Sequence, residues 1–158
     1  MASRIIHGID LDALPNQFKD SVPGRTLIID GDGPAYAAAA TVKRLDTALR
    51  KFQQEVLKRM FLTGASDCRI HLTAHNSDKY GRFRVKAAKV YQGNRKNKAK
   101  PALLEPLREL VADNSTWLDE YSVCMHRELE ADDGMIQDAY RLGDNGVICS
   151  EDKDLRMT

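Results

Sequence analysis

Three carboxylates fall within four residues at Glu130-Ala131-Asp132-Asp133, between an apolar run (Tyr121 to Met125) and a helix-like run (Gly134 to Leu142). At about 4 Å and an effective dielectric near 20, each like-charged pair costs roughly 4 kcal/mol, so such a cluster calls for a counter-charge. A second acidic pair, Asp152 and Asp154, follows Val147-Ile148-Cys149, and Asp30 ends Leu27-Ile28-Ile29. Carboxylate oxygens suit hard divalent cations, and Mg²⁺ or Mn²⁺ would relieve the repulsion. The plainer reading of the Glu130 cluster is a solvated helix N-terminus, where acids favour the helix dipole. Asp32, two residues beyond Asp30, reads as a helix cap with little chemical role. His7, His71, His75 and His126 show no ligand spacing and read as incidental.

Acids scattered over the chain can meet only if the elements that carry them end side by side. Thr26 to Asp30 has the continuous apolar, β-branched character of a strand buried on both faces. From Ala35 the pattern predicts one long helix, with Ala38, Val42, Leu45, Leu49, Phe52, Val56 and Met60 on one stripe and Gly64 at its end. Cys68 to Thr73 reads as a second strand, and Pro101 to Ala112 as a helix in which Pro106 implies a late start or a kink. Tyr121 to Met125 reads as a third strand, Asp132 to Leu142 as a helix stopped by Gly143, and Gly146 to Ser150 as a fourth strand. Alternating strands and helices predict a three-layer α/β domain, residues 26–158, with a mainly parallel central sheet flanked by helices. Residues 1–25 form a loosely patterned extension. In such sheets ligands bind beyond the carboxyl ends of the strands, the edge where these acids are expected to lie.

Composition fits one domain with a proper core: 158 residues, 42% apolar. The formal charge of +1 hides a segregation, with nine Lys or Arg and no acid from Lys79 to Lys100, and nine Asp or Glu against Arg141 and Lys153 from Glu128 to Asp154. Separate basic and acidic blocks suit a polyanion gripped at one place and cleaved at another; solvated surface is the alternative. Cys68, Cys124 and Cys149 lack paired spacing and read as core thiols of a reduced, cytoplasmic protein. No apolar stretch is long enough to predict a membrane span.

Leu27-Ile28-Ile29-Asp30-Gly31, Tyr91-Gln92-Gly93-Asn94-Arg95-Lys96, Glu130-Ala131-Asp132-Asp133 and Ser150-Glu151-Asp152-Lys153-Asp154-Leu155 follow one another in an order that resembles the 5′→3′ exonuclease/flap endonuclease family. The nearest look is to the phage enzymes and to the 5′-nuclease domain of bacterial DNA polymerase I. The resemblance spans Thr26 to Leu155. It implies a PIN-like domain in which Asp30, Glu130, Asp132, Asp133, Asp152 and Asp154 hold two Mg²⁺ or Mn²⁺ ions, and metal-assisted hydrolysis of DNA bearing single-stranded 5′ ends or flaps. It also implies that Arg82, Arg84, Lys86, Tyr91, Arg95, Lys96, Lys98 and Lys100 contact the DNA as a gateway, by phosphate contact and base stacking.

Three departures stand out. Thr73-Ala74-His75 replaces the Asp the family places at the end of the second strand, with Asp78 a candidate substitute. Gln92 replaces the Lys after the gateway Tyr. The family's helical, DNA-gripping C-terminal region is lacking after Asp154, which opens the reading of a non-catalytic or partner-dependent half of a split nuclease, its other half separately encoded. A PIN-type ribonuclease shares the same carboxylates. A phosphatase built on Asp30-Gly31-Asp32-Gly33 leaves Glu130-Ala131-Asp132-Asp133 without a role.

Overall fold

The computed structural model describes residues 5–6, 9–10, 21–84, 99–113, 117, 119–151 and 155. A short antiparallel pair, β1 (Ile5–Ile6) and β2 (Ile9–Asp10), precedes the domain. The order is then β3 (Val22–Asp30), α1 (Asp32–Thr41), α2 (Leu45–Thr63), β4 (Ala65–Thr73), a 3₁₀ turn (Lys79–Arg84), α3 (Leu104–Ala112), β5 (Tyr121–His126), α4 (Ala131–Leu142) and β6 (Gly146–Cys149). The central sheet runs β5-β4-β3-β6 with every pairing parallel, as the alternation of strands and helices predicts.

Side-chain alternation along the central strands divides the core. Leu27 and Ile29 of β3, with Cys68, Ile70 and Leu72 of β4, pack against Ala35, Ala38, Phe52, Val56, Leu107 and Val111 of α1, α2 and α3. Ile28 points the other way, to Met135 of α4 and to Leu155. The result is a three-layer α/β/α arrangement with α1–α3 on one face and α4 on the other. The same period of two sends Arg69, His71 and Thr73 toward α4.

Where the sequence pattern predicts one helix from Ala35, there are two. Val42 leaves α1 extended (φ −135°, ψ 166°) and α2 starts after Arg44. The Thr41 hydroxyl donates back to the carbonyls of Ala37 and Ala38 (2.8 and 3.3 Å), a bond that competes with helix continuation. Arg44 forks onto Asp46 at 3.0 and 2.9 Å at the new start. The apolar stripe keeps phase across the break, so periodicity alone does not reveal it. Gly64 ends α2 in the left-handed region (φ 65°), as expected. Helix α3 starts late, at Leu104, which puts Pro106 in the first turn, where its missing N–H breaks no intrahelical bond.

Gly31 sets the turn from β3 into α1. Its N–H donates to the His71 carbonyl at 2.8 Å, and a Cβ there would come within 2.9–3.0 Å of Leu72, His71 and Ile70. Only a residue without a side chain brings Asp30 and Asp32 this close to the end of β4.

Candidate functional site at the carboxyl ends of the strands

Asp30 ends a central strand and is half-buried. Desolvation first, then the charges of Asp32 and Asp132, push its carboxyl from 3.8 up to about 6; the Asp32 N–H, donating to Asp30 Oδ1 at 2.9 Å, and the charge of Arg59 act against the rise. Asp30 and Asp132 come from different elements yet lie close enough to feel each other. Asp30 thus sits in the field of two other acids, although no three of the described acids at this edge bring their oxygens close enough to share one ion.

The other acids of the Glu130 motif serve the helix as well. Glu130 is the N-cap of α4 in a reciprocal capping box: its side chain accepts from the backbone of Asp133, and Asp133 Oδ2 accepts the Glu130 N–H at 3.1 Å. Glu130 also pairs with Lys79 at 3.3 Å. Asp132 Oδ1 accepts the Asp133 N–H at 2.8 Å. Asp152 and Asp154 lie outside the described residues.

Asp32 departs from its expected role. Gly31 is the N-cap of α1, with no side-chain cap bond, and Asp32 stands in the first turn. Its Oδ1 accepts from Arg108 Nη2 at 2.9 Å and from the Thr73 N–H at 3.2 Å, so it ties α1 to α3 and β4. Thr73, where the resembled family has an acid, is equally committed: its hydroxyl accepts the Ala131 N–H at 3.0 Å. Asp78 pairs with Arg84 at 3.2 Å on the surface.

Of the residues expected to contact DNA, Arg84 is engaged with Asp78, and Lys100 lies 3.8 Å from Glu105. Lys86, Tyr91, Arg95, Lys96, Lys98 and the Arg82 side chain lie outside the described residues. A feature the sequence reading missed is an open groove of about 550 Å³ between α1 and α2, lined by Thr41, Lys51, Lys58, Arg59 and Glu151 among others. It starts beside the Asp30 corner, since Arg59 acts on Asp30 and also pairs with Glu55 (3.1 Å) and Glu151 (3.8 Å). Cations at helical spacing along α2 are the signal that could have found it.

Two of the four histidines, His71 and His126, are brought together by the fold. His71 and His126 stack with centroids 5.1 Å apart and planes 5° from parallel, with His71 Nδ1 2.9 Å from His126 Nε2. His71 Nε2 lies 3.0 Å from Asp138 Oδ2, while Asp138 Oδ1 accepts from Arg69 at 2.8 Å and Arg141 at 3.1 Å. Burial and the neighbouring His126 hold His71 down at about 4, and burial lowers His126. The residues stand 55 and 67 positions apart in the chain (126 − 71 and 138 − 71), so no local spacing announces them.

Of the three thiols, Cys68 is buried and pushed up to about 12 by that burial, while Cys124 and Cys149 are half-buried; all three are free. Among the described residues no helix is long and apolar enough to cross a membrane. No family model, curated protein or solved structure matches this chain.

Proposed function

We propose that this domain is a divalent-metal-dependent nuclease that hydrolyses phosphodiester bonds in DNA with single-stranded 5′ ends or flaps. The observation that carries the reading is Asp30, a half-buried acid at the end of a central strand, held at about 6 by desolvation and by the charges of Asp32 and of Asp132 from another element. An acid edge of this kind is costly until a cation shares it.

The donor set is all oxygen and fits Mg²⁺ or Mn²⁺. Asp30, Glu130, Asp132 and Asp133 would hold the ions, joined by Asp152 and Asp154. When bound, the ions supply charge stabilisation on the attacking and leaving oxygens and a lowered pKa for water. The protein's own part is positional. Gly31 fixes Asp30 against β4, and the Thr73 hydroxyl fixes the start of α4 and hence Asp132. The groove bearing Lys51, Lys58 and Arg59 offers a phosphate backbone a path to that corner.

Thr73 favours a second reading. It fills the end of β4 with a neutral side chain, so the acid set is one short of the resembled family's. A nuclease half that turns over only with a separately encoded partner region would tolerate this.

The test is cleavage of a 5′-flapped DNA duplex by the full chain with Mn²⁺, beside an RNA strand of the same sequence. Asp30→Asn and Asp132→Asn should each lose on the order of a hundredfold or more in rate. Cleavage equal in wild type and Asp132→Asn would overturn the assignment. Preference for the RNA strand would shift it to the ribonuclease class. Silence relieved only by a helical partner region would establish the second reading.

A further inference from the structure

We propose that His71, Cys124 and Asp138 form a second metal site, selective for a thiophilic dication of the Zn²⁺ class and separate from the acidic edge. The three contribute one atom each from β4, β5 and α4: an imidazole nitrogen, Cys124 Sγ and a carboxylate oxygen, all within 4.8 Å of one another. Parallel pairing creates the meeting, because His71 and Cys124 are register partners across β4 and β5, and both project to the face that α4 covers. Among the described residues this is the group of His, Cys, Asp or Glu whose donor atoms converge closely enough to share an ion.

The second observation is an under-satisfied atom. His71 is 2% exposed, and its Nε2 faces Asp138 Oδ2 at 3.0 Å, an ion-pair contact that lacks the alignment of a full hydrogen bond. A buried ring nitrogen left this way costs stability, whereas a lone pair on a metal would satisfy it. The rest of the ring is arranged as for a ligand. Metal-bound histidines commonly place their other nitrogen against a hydrogen-bonding group that sets the tautomer, and His71 Nδ1 has His126 Nε2 at 2.9 Å. Arg69 and Arg141 both take Asp138 Oδ1, which orients the carboxylate and leaves Oδ2 on the His71 side.

Size and softness agree. Zn²⁺ bonds of about 2.0–2.3 Å place tetrahedral ligands roughly 3.3–3.7 Å apart, so the three atoms need adjust by about 1 Å or less. Thiolate and imidazole reject Mg²⁺, and the oxygen-only edge offers no thiolate, so the two sites sort metals by chemistry. Binding replaces the Cys124 S–H proton with a sulfur–metal bond and releases that proton to solvent. A fourth position is left for water or a small ligand. This inference does not rest on the nuclease reading.

The experiment is titration of the full chain with Co²⁺ and with Zn²⁺, each alone. Co²⁺ should raise a thiolate-to-cobalt charge-transfer band that saturates at one equivalent, is bleached by Zn²⁺ and is untouched by excess Mg²⁺. The band should vanish in Cys124→Ala and persist in Cys149→Ala. On the wild-type chain, which avoids any folding defect of the variant, Zn²⁺ should slow alkylation of Cys124 by at least about tenfold, read by peptide mapping, and leave Cys149 unchanged. Absence of the band, its survival in Cys124→Ala, or an unaltered Cys124 alkylation rate would each overturn the site.

Discussion

Thr73 donates its backbone N–H to Asp32 Oδ1 across 3.2 Å, at the point where β4 ends. The same carboxylate oxygen takes Arg108 at 2.9 Å, and Arg108 is mostly buried. Asp32 is therefore a three-way tie between α1, β4 and α3. Asp32→Ala leaves a guanidinium and a backbone donor without that acceptor, and should destabilise the fold by about 2–4 kcal/mol. Urea unfolding is the measurement, and a loss under 0.5 kcal/mol (roughly that of an ordinary surface change) would refute the tie.

Asp30 should trade stability for chemistry. Its carboxyl rises from 3.8 unfolded to about 6 folded, so the folded state holds the proton more tightly, and ionised Asp30 penalises the fold above pH 6. Two units correspond to roughly 3 kcal/mol, reduced by partial exposure, so Asp30→Asn should gain about 1–2 kcal/mol at pH 7.5 while losing the proposed nuclease activity. The gain should shrink as pH falls from 6 toward 3.8, where wild-type Asp30 is itself protonated. Thermal melts of both proteins across that range check this.

His71 pulls the other way. It is neutral in the fold down to about pH 4, but its ordinary value is 6.5, so the unfolded chain binds the extra proton between those limits. Its contribution is present above pH 6.5 and is lost progressively as pH falls toward 4. Replacement by His71→Gln should flatten that part of the wild-type acid limb, by about 2–3 kcal/mol over the window. Unfolding midpoints measured on both chains in parallel supply the comparison, and identical slopes would deny the buried histidine its role.

Gly134 is fixed by the histidine stack. A Cβ at that position would fall 2.3 Å from His126 ring atoms and 2.8 Å from His71 Nδ1. Gly134→Ala should therefore cost more than about 2 kcal/mol despite its better helix propensity. Combined with His126→Ala, which removes the obstructing ring, the added cost should largely disappear. A double-mutant cycle reads the coupling, and additive losses would mean the contact is not what limits the site.

Much of this architecture was legible in the sequence. The β-branched run 26–30, the stripe on α2 and the glycines at 64 and 143 mark elements through local physics, and their alternation implies the parallel sheet. The influence of Asp132 on Asp30 is what that sheet would lead one to expect, since it carries the ends of its strands to one edge. The break at Val42 did not show, because both helices keep a common apolar phase. Asp32 was misread because a short acid near a helix start resembles a cap until its partner, Arg108, is known from three-dimensional packing. The His71–His126–Asp138 group was invisible for the same reason: its members sit in ordinary strand and helix positions, and only strand register and the seating of α4 bring them together.

The strand order carries a consequence for how the chain is made. Of the central sheet's strands β3 leaves the ribosome first, yet it ends between β4 and β6. One of its flanks can be covered once residues 65–73 have emerged; the other must wait for residues 146–149, more than a hundred positions after β3 itself. Throughout that interval a nascent chain presents Thr26 to Ile29 with a bare hydrogen-bonding edge. The Asp30 corner can acquire its final neighbours only after residues 146–149 have emerged.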